Sequence, residues 1–438
     1  MEKISNKLLL LLLAISSITF VSCDDNKGEG EEPETPGNNE TVTTPTDDLS
    51  NPKEYFETTA ELFMDYFNAG DQDQILKVVN NFIDEYAEYE IDFDNGEDEE
   101  YSGYYTRALT NFAKSLKKSI QSGNYARATA SEVWEFADFQ GVYEPNSNYY
   151  RWEKTEDSDY CIYRWTNTDT GKECELKFEA SSDTYTFDGD DYNTVTAPKT
   201  ITVTLTEGGT QLLKSVVKSE YNESAHTIAA DINVTVANII VTTIINGNDQ
   251  KVTADQTFTI GDKTIETSTA TVTGSDLCNR TAIEKALEEA DEYENYDKLS
   301  RIFNKGVGEA DILGRVQVKA EVSSINRLIE AEDERYDYDY SSASAEEQAE
   351  KKYANILNQY IKASFYFART SEKQGDLSFE AYCEEDYGYT WWDTHAILIF
   401  ASDDSKYDFE SYFGNGRFDS TENIFSNLLD TYTNALGL

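Results

Sequence analysis

Histidine is almost missing from this chain: His226 and His395 are the only two in 438 residues. Histidine-ligated metals and histidine-based catalysis therefore have little to draw on. Cations are the larger deficit, 36 Lys and Arg against 84 Asp and Glu, for a formal charge of −48. A field of that size repels nucleic acid, anionic headgroups and acidic polysaccharide, and leaves neutral glycans, cations or basic protein surfaces as partners. Proline is scarce, and four of the six (Pro33, Pro36, Pro45 and Pro52) fall in one short stretch. Long apolar runs are missing as well, apart from one near the start. Even so, with 39% hydrophobic and 13% aromatic residues, the chain can bury a core and is expected to fold.

The one apolar run begins with six leucines, Leu8 to Leu13, after Lys3 and Lys7, and closes with Phe20-Val21-Ser22-Cys23. A short basic start, a core too short to remain as a spanning helix and small residues before a cut make a secretory signal over residues 1–22. The closing tetrapeptide resembles the lipobox of bacterial lipoproteins, which implies that the Cys23 thiol is acylated (palmitate or a similar chain) and its amine becomes the N-terminus. The alternative is an ordinary secretory signal with an incidental cysteine. Loss of Glu2, Lys3 and Lys7 with the signal would bring the charge to −49. Asp24, Asp25, Glu29, Glu31 and Glu32 follow the cysteine. Such an acidic cluster resembles the Bacteroidetes signal for display on the outer face of the outer membrane, whereas an aspartate in the second mature position resembles the enteric signal for inner-membrane retention.

Residues 23–52 are rich in Glu, Asp, Thr, Gly, Asn and Pro and have too few apolar side chains to offset the entropy of ordering, so they are expected to be a disordered tether. Residues 53–139 read as helical. Tyr55, Leu62, Phe63, Tyr66 and Phe67 recur at three- and four-residue spacing, as do Ile75, Val78, Val79, Phe82, Ile83 and Tyr86, and then Tyr105, Leu109, Phe112, Leu116 and Ile120. The acidic run Asp92 to Glu100 looks like a calcium loop, but Asn95 stands where the EF-hand needs glycine and Tyr101 where it needs its bidentate glutamate.

Residues 140–275 are the β region. In Thr200 to Thr206, Ile201, Val203 and Leu205 alternate with threonines, and Ile228 to Val236 repeats the pattern one hairpin later. Turn signals at Thr168–Gly171, Gly208-Gly209, Asn246-Gly247 and Gly261-Asp262 divide about nine antiparallel strands. A meander that wide curls, and its apolar face needs a cover. The expected fold is therefore α+β: a long antiparallel meander, a curved sheet or half-open barrel, packed against N- and C-terminal helices. Residues 276–438 read as a mixed α/β region packing on that sheet. It contains helices over 279–303, 324–334, 345–369 and 421–436, and strands over 312–322, 377–384 and 395–401.

Gly141-Val142-Tyr143-Glu144, Trp152-Glu153-Lys154, Pro198-Lys199-Thr200-Ile201 and the run Lys406 to Phe413 with Arg417-Phe418 are similar to an uncharacterised family of Bacteroidales lipoproteins. The resemblance spans roughly residues 139–430. It implies the location and the sheet topology and carries no catalytic residue.

No cofactor or metal site is expected, and catalysis is not expected either. Trp391-Trp392-Asp393-Thr394-His395 is the most chemical-looking pentad, but no Gly-x-Ser-x-Gly accompanies it. With so many carboxylates, a pair for glycoside hydrolysis is always available and never diagnostic. Outside the cytoplasm an even number of cysteines suggests disulfides. Cys161 and Cys174 flank one turn and are the candidate pair, with Cys278 and Cys383 left over. Two aromatic-rich stretches are candidate sugar platforms: Tyr143, Tyr149, Tyr150 and Trp152, and Tyr387, Tyr389, Trp391 and Trp392. The expected protein is a lipid-anchored, surface-displayed binding module for a neutral glycan or a protein. The alternative is a periplasm-facing lipid or lipoprotein carrier using a sheet cavity, and a hydrolase comes third.

Overall fold

The computed structural model describes residues 49–66, 69–86, 89–92, 140–188, 194–293, 297–336, 338, 340–386 and 389–408. Cys23, the tether to residue 48, the helices expected over 105–120 and 421–436, Tyr387 and most of the calcium-like loop lie outside these residues.

Two helices open the described chain. In α1 (Pro52–Tyr66), Pro52 takes the first helical position, where its missing N–H costs nothing, and the Asn51 carbonyl accepts from the Tyr55 N–H. In α2 (Ala69–Tyr86), Ile75, Leu76, Val78, Val79, Phe82 and Tyr86 form the buried stripe that the three- and four-residue spacing predicts. Strands follow: β1 (Glu90–Asp92), β2 (Gly141–Asn146), β3 (Arg151–Glu156), β4 (Cys161–Thr166), β5 (Glu173–Ala180), the small hairpin β6 (Thr184–Asp188) and β7 (Thr194–Pro198), and β8 (Thr200–Glu207). Five long strands come next: β9 (Thr210–Asn222), β10 (Thr227–Val236), β11 (Ile239–Asn248), β12 (Lys251–Ile260) and β13 (Lys263–Gly274). After α3 (Arg280–Tyr293) and α4 (Asp297–Ile302) come β14 (Phe303–Ile312) and β15 (Val316–Val322), then α5 (Ile325–Tyr336) and α6 (Ala343–Tyr360). The last strands are β16 (Ile361–Phe367), β17 (Glu372–Asp386), β18 (Tyr389–Phe400) and β19 (Lys406–Asp408).

Among the described residues, seventeen strands make one open sheet, with β6 and β7 apart. From β8 onward each strand pairs antiparallel with the next, and β5 pairs with β8. The exceptions lie at the first edge, where β1 runs parallel to β3 and β2 parallel to β4. The sheet curls. Phe82 of α2 stacks on Trp152 of β3 and meets Trp165 of β4, while Gln74 of the same helix donates to Glu207 at the end of β8. These contacts lay α2 over the strands from β3 to β8 on one face of the curved sheet.

Val234, Val236 and Val241 join the α2 stripe in one packed cluster, with Ile232 half-buried against it. Ile240 lies on the other face by strand alternation. The hollow of the sheet at this level is filled core. A second cluster, with Val322, Ile325, Leu328, Ile329, Ala354, Ile361 and Phe379, packs α5 and α6 on the later strands. Here Asn358 of α6 acts as a missing ladder partner: its amide donates to the Phe379 carbonyl at 2.7 Å and accepts from the Phe379 N–H at 2.9 Å.

Three sequence expectations are corrected. The helix over 345–369 ends at Tyr360, because Ile361, Phe365 and Phe367 pair with β15 instead. A strand over 303–312, missed in the sequence, forms β14, with Gly306 and Gly308 opposite Val322 and Ala320. The helix over 279–303 is two helices, α3 and α4.

Candidate functional site

The hairpin of β2 and β3 displays the most exposed aromatics described. Asn146 builds its turn: its carbonyl accepts from the Tyr149 N–H at 3.1 Å and its Oδ1 from the Asn148 N–H at 3.0 Å. The turn closes with Tyr150 in the left-handed region, φ 53°. That conformation suits glycine or asparagine and costs a bulky residue on the order of 1–2 kcal/mol. Tyr149 and Tyr150 are 68% and 69% exposed.

The pair stands on a rigid base. The Arg151 guanidinium lies 5.0 Å from the Tyr149 ring centre and donates from Nε to Glu153 Oε1 at 2.9 Å. The Glu153 carboxyl is held below its usual range by a hydrogen bond from Asn146 and then by Arg151. Tyr150 meets the buried Tyr89 edge-on at 5.7 Å, Tyr89 meets Tyr86 at 5.4 Å, and Tyr86 meets Trp152 at 5.8 Å. The tip is thus wired through aromatic rings into the α2 core. Two aromatic rings, an amide, a guanidinium and a carboxylate on a fixed turn can stack on a sugar ring and hydrogen-bond its hydroxyl groups.

Compared with known proteins, the chain matches no family model, no curated protein and no solved structure.

The rest of the first platform is core. Trp152 is 1% exposed, between Phe82 and Tyr163, and Tyr143 is buried beside Tyr163, with burial pushing its hydroxyl pKa up to about 12. Trp152 is therefore corrected from ligand platform to packing residue. Proximity in sequence groups the four residues, but strand register and the turn separate them.

The second platform also divides. Trp391 and Trp392 are half-buried neighbours in β18, so they point to opposite faces of the strand and cannot present one surface. Trp392 lies under Lys351 of α6, 5.8 Å from the ring centre. Tyr389 begins the same strand. The rest of that pentad ties elements together. Asp393 accepts from Arg335 at 2.8 Å, and Thr394 donates to Glu350 Oε2 at 2.8 Å. His395 Nδ1 lies 2.7 Å from Asp408 Oδ2, with Tyr382 stacked on its ring at 5.2 Å.

The expected Cys161–Cys174 bridge is not formed. Cys161 pairs with Phe178 and Cys174 with Trp165, so the two sit at opposite ends of the hairpin on one face, with Tyr163 and Leu176 between. Four residues of strand separate them by roughly 13 Å, far beyond the ~7 Å reach of a disulfide. Cys278 is buried and Cys383 exposed, and no disulfide joins them either. Among the described residues no group of three His, Cys, Asp or Glu could hold a metal ion, and no helix is long and apolar enough to cross a membrane.

Proposed function

We propose that this chain is a lipid-anchored outer-membrane protein, displayed on the cell surface, that acts as a non-catalytic binding module for neutral glycan. The observation that carries this reading is the Tyr149–Tyr150 tip, an exposed aromatic pair kept in a strained turn on a fixed polar base. Strain of this kind persists where the surrounding structure over-determines it, and it concentrates at ligand contacts. The large negative charge favours a neutral ligand over an acidic polymer. The lipobox-like Phe20-Val21-Ser22-Cys23 and the acidic residues after it support the address. The carrier reading needs Ile232, Val234, Val236 and Ile240 to line an open apolar hollow; the first three instead pack into the core built on α2, and Ile240 lies on the other face.

Affinity electrophoresis through gels containing neutral polysaccharides tests the binding. Retardation of the wild-type chain that is lost in the folded Tyr149→Ala/Tyr150→Ala variant supports it, and unretarded wild-type protein across a broad polysaccharide panel refutes it. Protease shaving of intact cells tests display, and Cys23→Ala tests the anchor by releasing the protein from membranes. A protease-protected chain would place it in the periplasm.

A further inference from the structure

A cavity of about 500 Å³ lies at the far end of the long strands, lined by Glu220 and Asn222 of β9, Asn246 and Asn248 of β11, and Lys251 and Thr253 of β12. It is remote from the tyrosine tip along the strand direction: the tip closes the sheet where β4 and β10 end, whereas the cavity sits where β10 begins. These six side chains share one face of the sheet, because 220 and 222, 246 and 248, and 251 and 253 fall on matching rungs.

Two turns set the chemistry. Asn222 Oδ1 accepts from the Ala225 N–H at 3.0 Å, and Asn248 Oδ1 accepts from the N–H groups of Gln250 and Lys251 at 2.9 and 3.0 Å. With both oxygens committed to their turns, each amide offers its Nδ2 donor to a ligand. His226 Nδ1 to Asp249 Oδ2, at 2.8 Å, staples the β9–β10 turn to the β11–β12 turn and fixes the spacing of the two donors. Asn222 and Asn248 sit two strands apart, roughly 10 Å, which is room for one pyranose ring.

The cavity lining holds one ammonium, Lys251, and one carboxylate, Glu220, so it lacks the acidic excess of the chain. Glu220 is paired with Lys199 at 3.2 Å, and Asp249 faces His226. Lys251 makes no ion pair among the described residues. Beyond about 8 Å the acidic surface is screened at physiological salt, so a small ligand here meets the Lys251 ammonium beside the Asn248 amide, with the Asn222 amide further along the same rung.

We infer that this cavity is a binding site for a small carboxylate-bearing sugar of the hexuronate type, with Lys251 and the Nδ2 groups of Asn222 and Asn248 on the carboxylate and ring oxygens and Glu220 accepting from a hydroxyl. The site does not depend on the tyrosine tip. Isothermal titration of the full chain in detergent with glucuronate, glucose and acetate tests it. Saturable glucuronate binding in the millimolar range, with glucose and acetate each at least tenfold weaker, is expected. Lys251→Gln, an exposed position that leaves the fold intact, should weaken glucuronate at least tenfold through loss of a charge-assisted hydrogen bond, while Tyr149→Ala leaves it unchanged. Absence of glucuronate binding, equal binding of glucose or acetate, or an unaltered affinity in Lys251→Gln would each overturn the assignment. Loss of glucuronate binding in Tyr149→Ala would place the ligand at the tip and overturn it too.

Discussion

Arg335 grips Glu350 with two parallel hydrogen bonds, Nε to Oε1 at 3.1 Å and Nη2 to Oε2 at 2.8 Å, around a carboxylate that is fully buried. The same guanidinium donates to Asp393 of β18, and Tyr340 and Thr394 complete the Glu350 shell. One ion pair thus fastens α5 to α6 and both to the sheet.

Removing one partner should be far worse than removing both. Arg335→Met leaves a buried carboxylate without its cation, and a loss of about 3–5 kcal/mol is expected in urea unfolding. Arg335→Met/Glu350→Leu should recover most of that loss. If the double variant is as unstable as the single, the pair is not an isolated electrostatic lock.

Glu266 gives the fold a pH dependence of unusual sign. It lies in β13 between Phe258 and Ile312, 4% exposed and with no hydrogen-bond partner on Oε1. Burial raises its pKa from 4.5 to about 7, against a smaller opposing hydrogen bond from Ser268. The folded state holds this proton more tightly than the unfolded one, so the contribution is fully present below about pH 4.5 and is lost as pH rises to about 7. The expected loss is on the order of 3 kcal/mol. Glu266→Gln should flatten stability across that window, measured by urea midpoints at several pH values. An unchanged pH profile would mean that the carboxyl is already ionised at pH 5.

Much of this fold was legible from periodicity. Thr200 to Thr206 alternates cleanly and is β8, and the Ile75 to Tyr86 stripe is α2. The failures lie where one local pattern serves two structures. Tyr353, Ile356, Leu357, Tyr360 and Ile361 continue a helical stripe, yet the free edge of β15 takes the chain from Ile361 onward. Gly306 and Gly308 look like a loop until β13 and β15 flank them. At the candidate site, composition singled out an aromatic-rich stretch, but which tyrosines face water depends on the Asn146 turn and on the pairing of Pro145 with Trp152. The cavity had no signal at all, since its donors come from turns that meet only across the sheet.

The cysteines yield a chemical prediction. Burial pushes the Cys161 and Cys174 thiols up to about 12, so almost no thiolate is present at pH 8. Both should resist iodoacetamide in the native protein and react in denaturant, and reductant should leave the melting temperature unchanged. A fall of several degrees on reduction would restore the disulfide reading.

Tyr150 separates a display residue from a packing residue. Replacing it with glycine relieves a left-handed strain of about 1–2 kcal/mol and forfeits an edge contact with Tyr89 of about 0.5–1.5 kcal/mol. The two nearly cancel, so Tyr150→Gly should unfold within about 1 kcal/mol of wild type, whereas a buried aromatic loses about 3–5 kcal/mol on truncation. Glycan retardation, in contrast, should drop sharply, because half the aromatic pair is gone. A variant that keeps full binding would remove Tyr150 from the site and leave its strain without a function. A variant that loses several kcal/mol would show the ring to be part of the α2 core, joined through Tyr89 and Tyr86 to Trp152, and the tip would then be an edge of that core and not a platform for ligand.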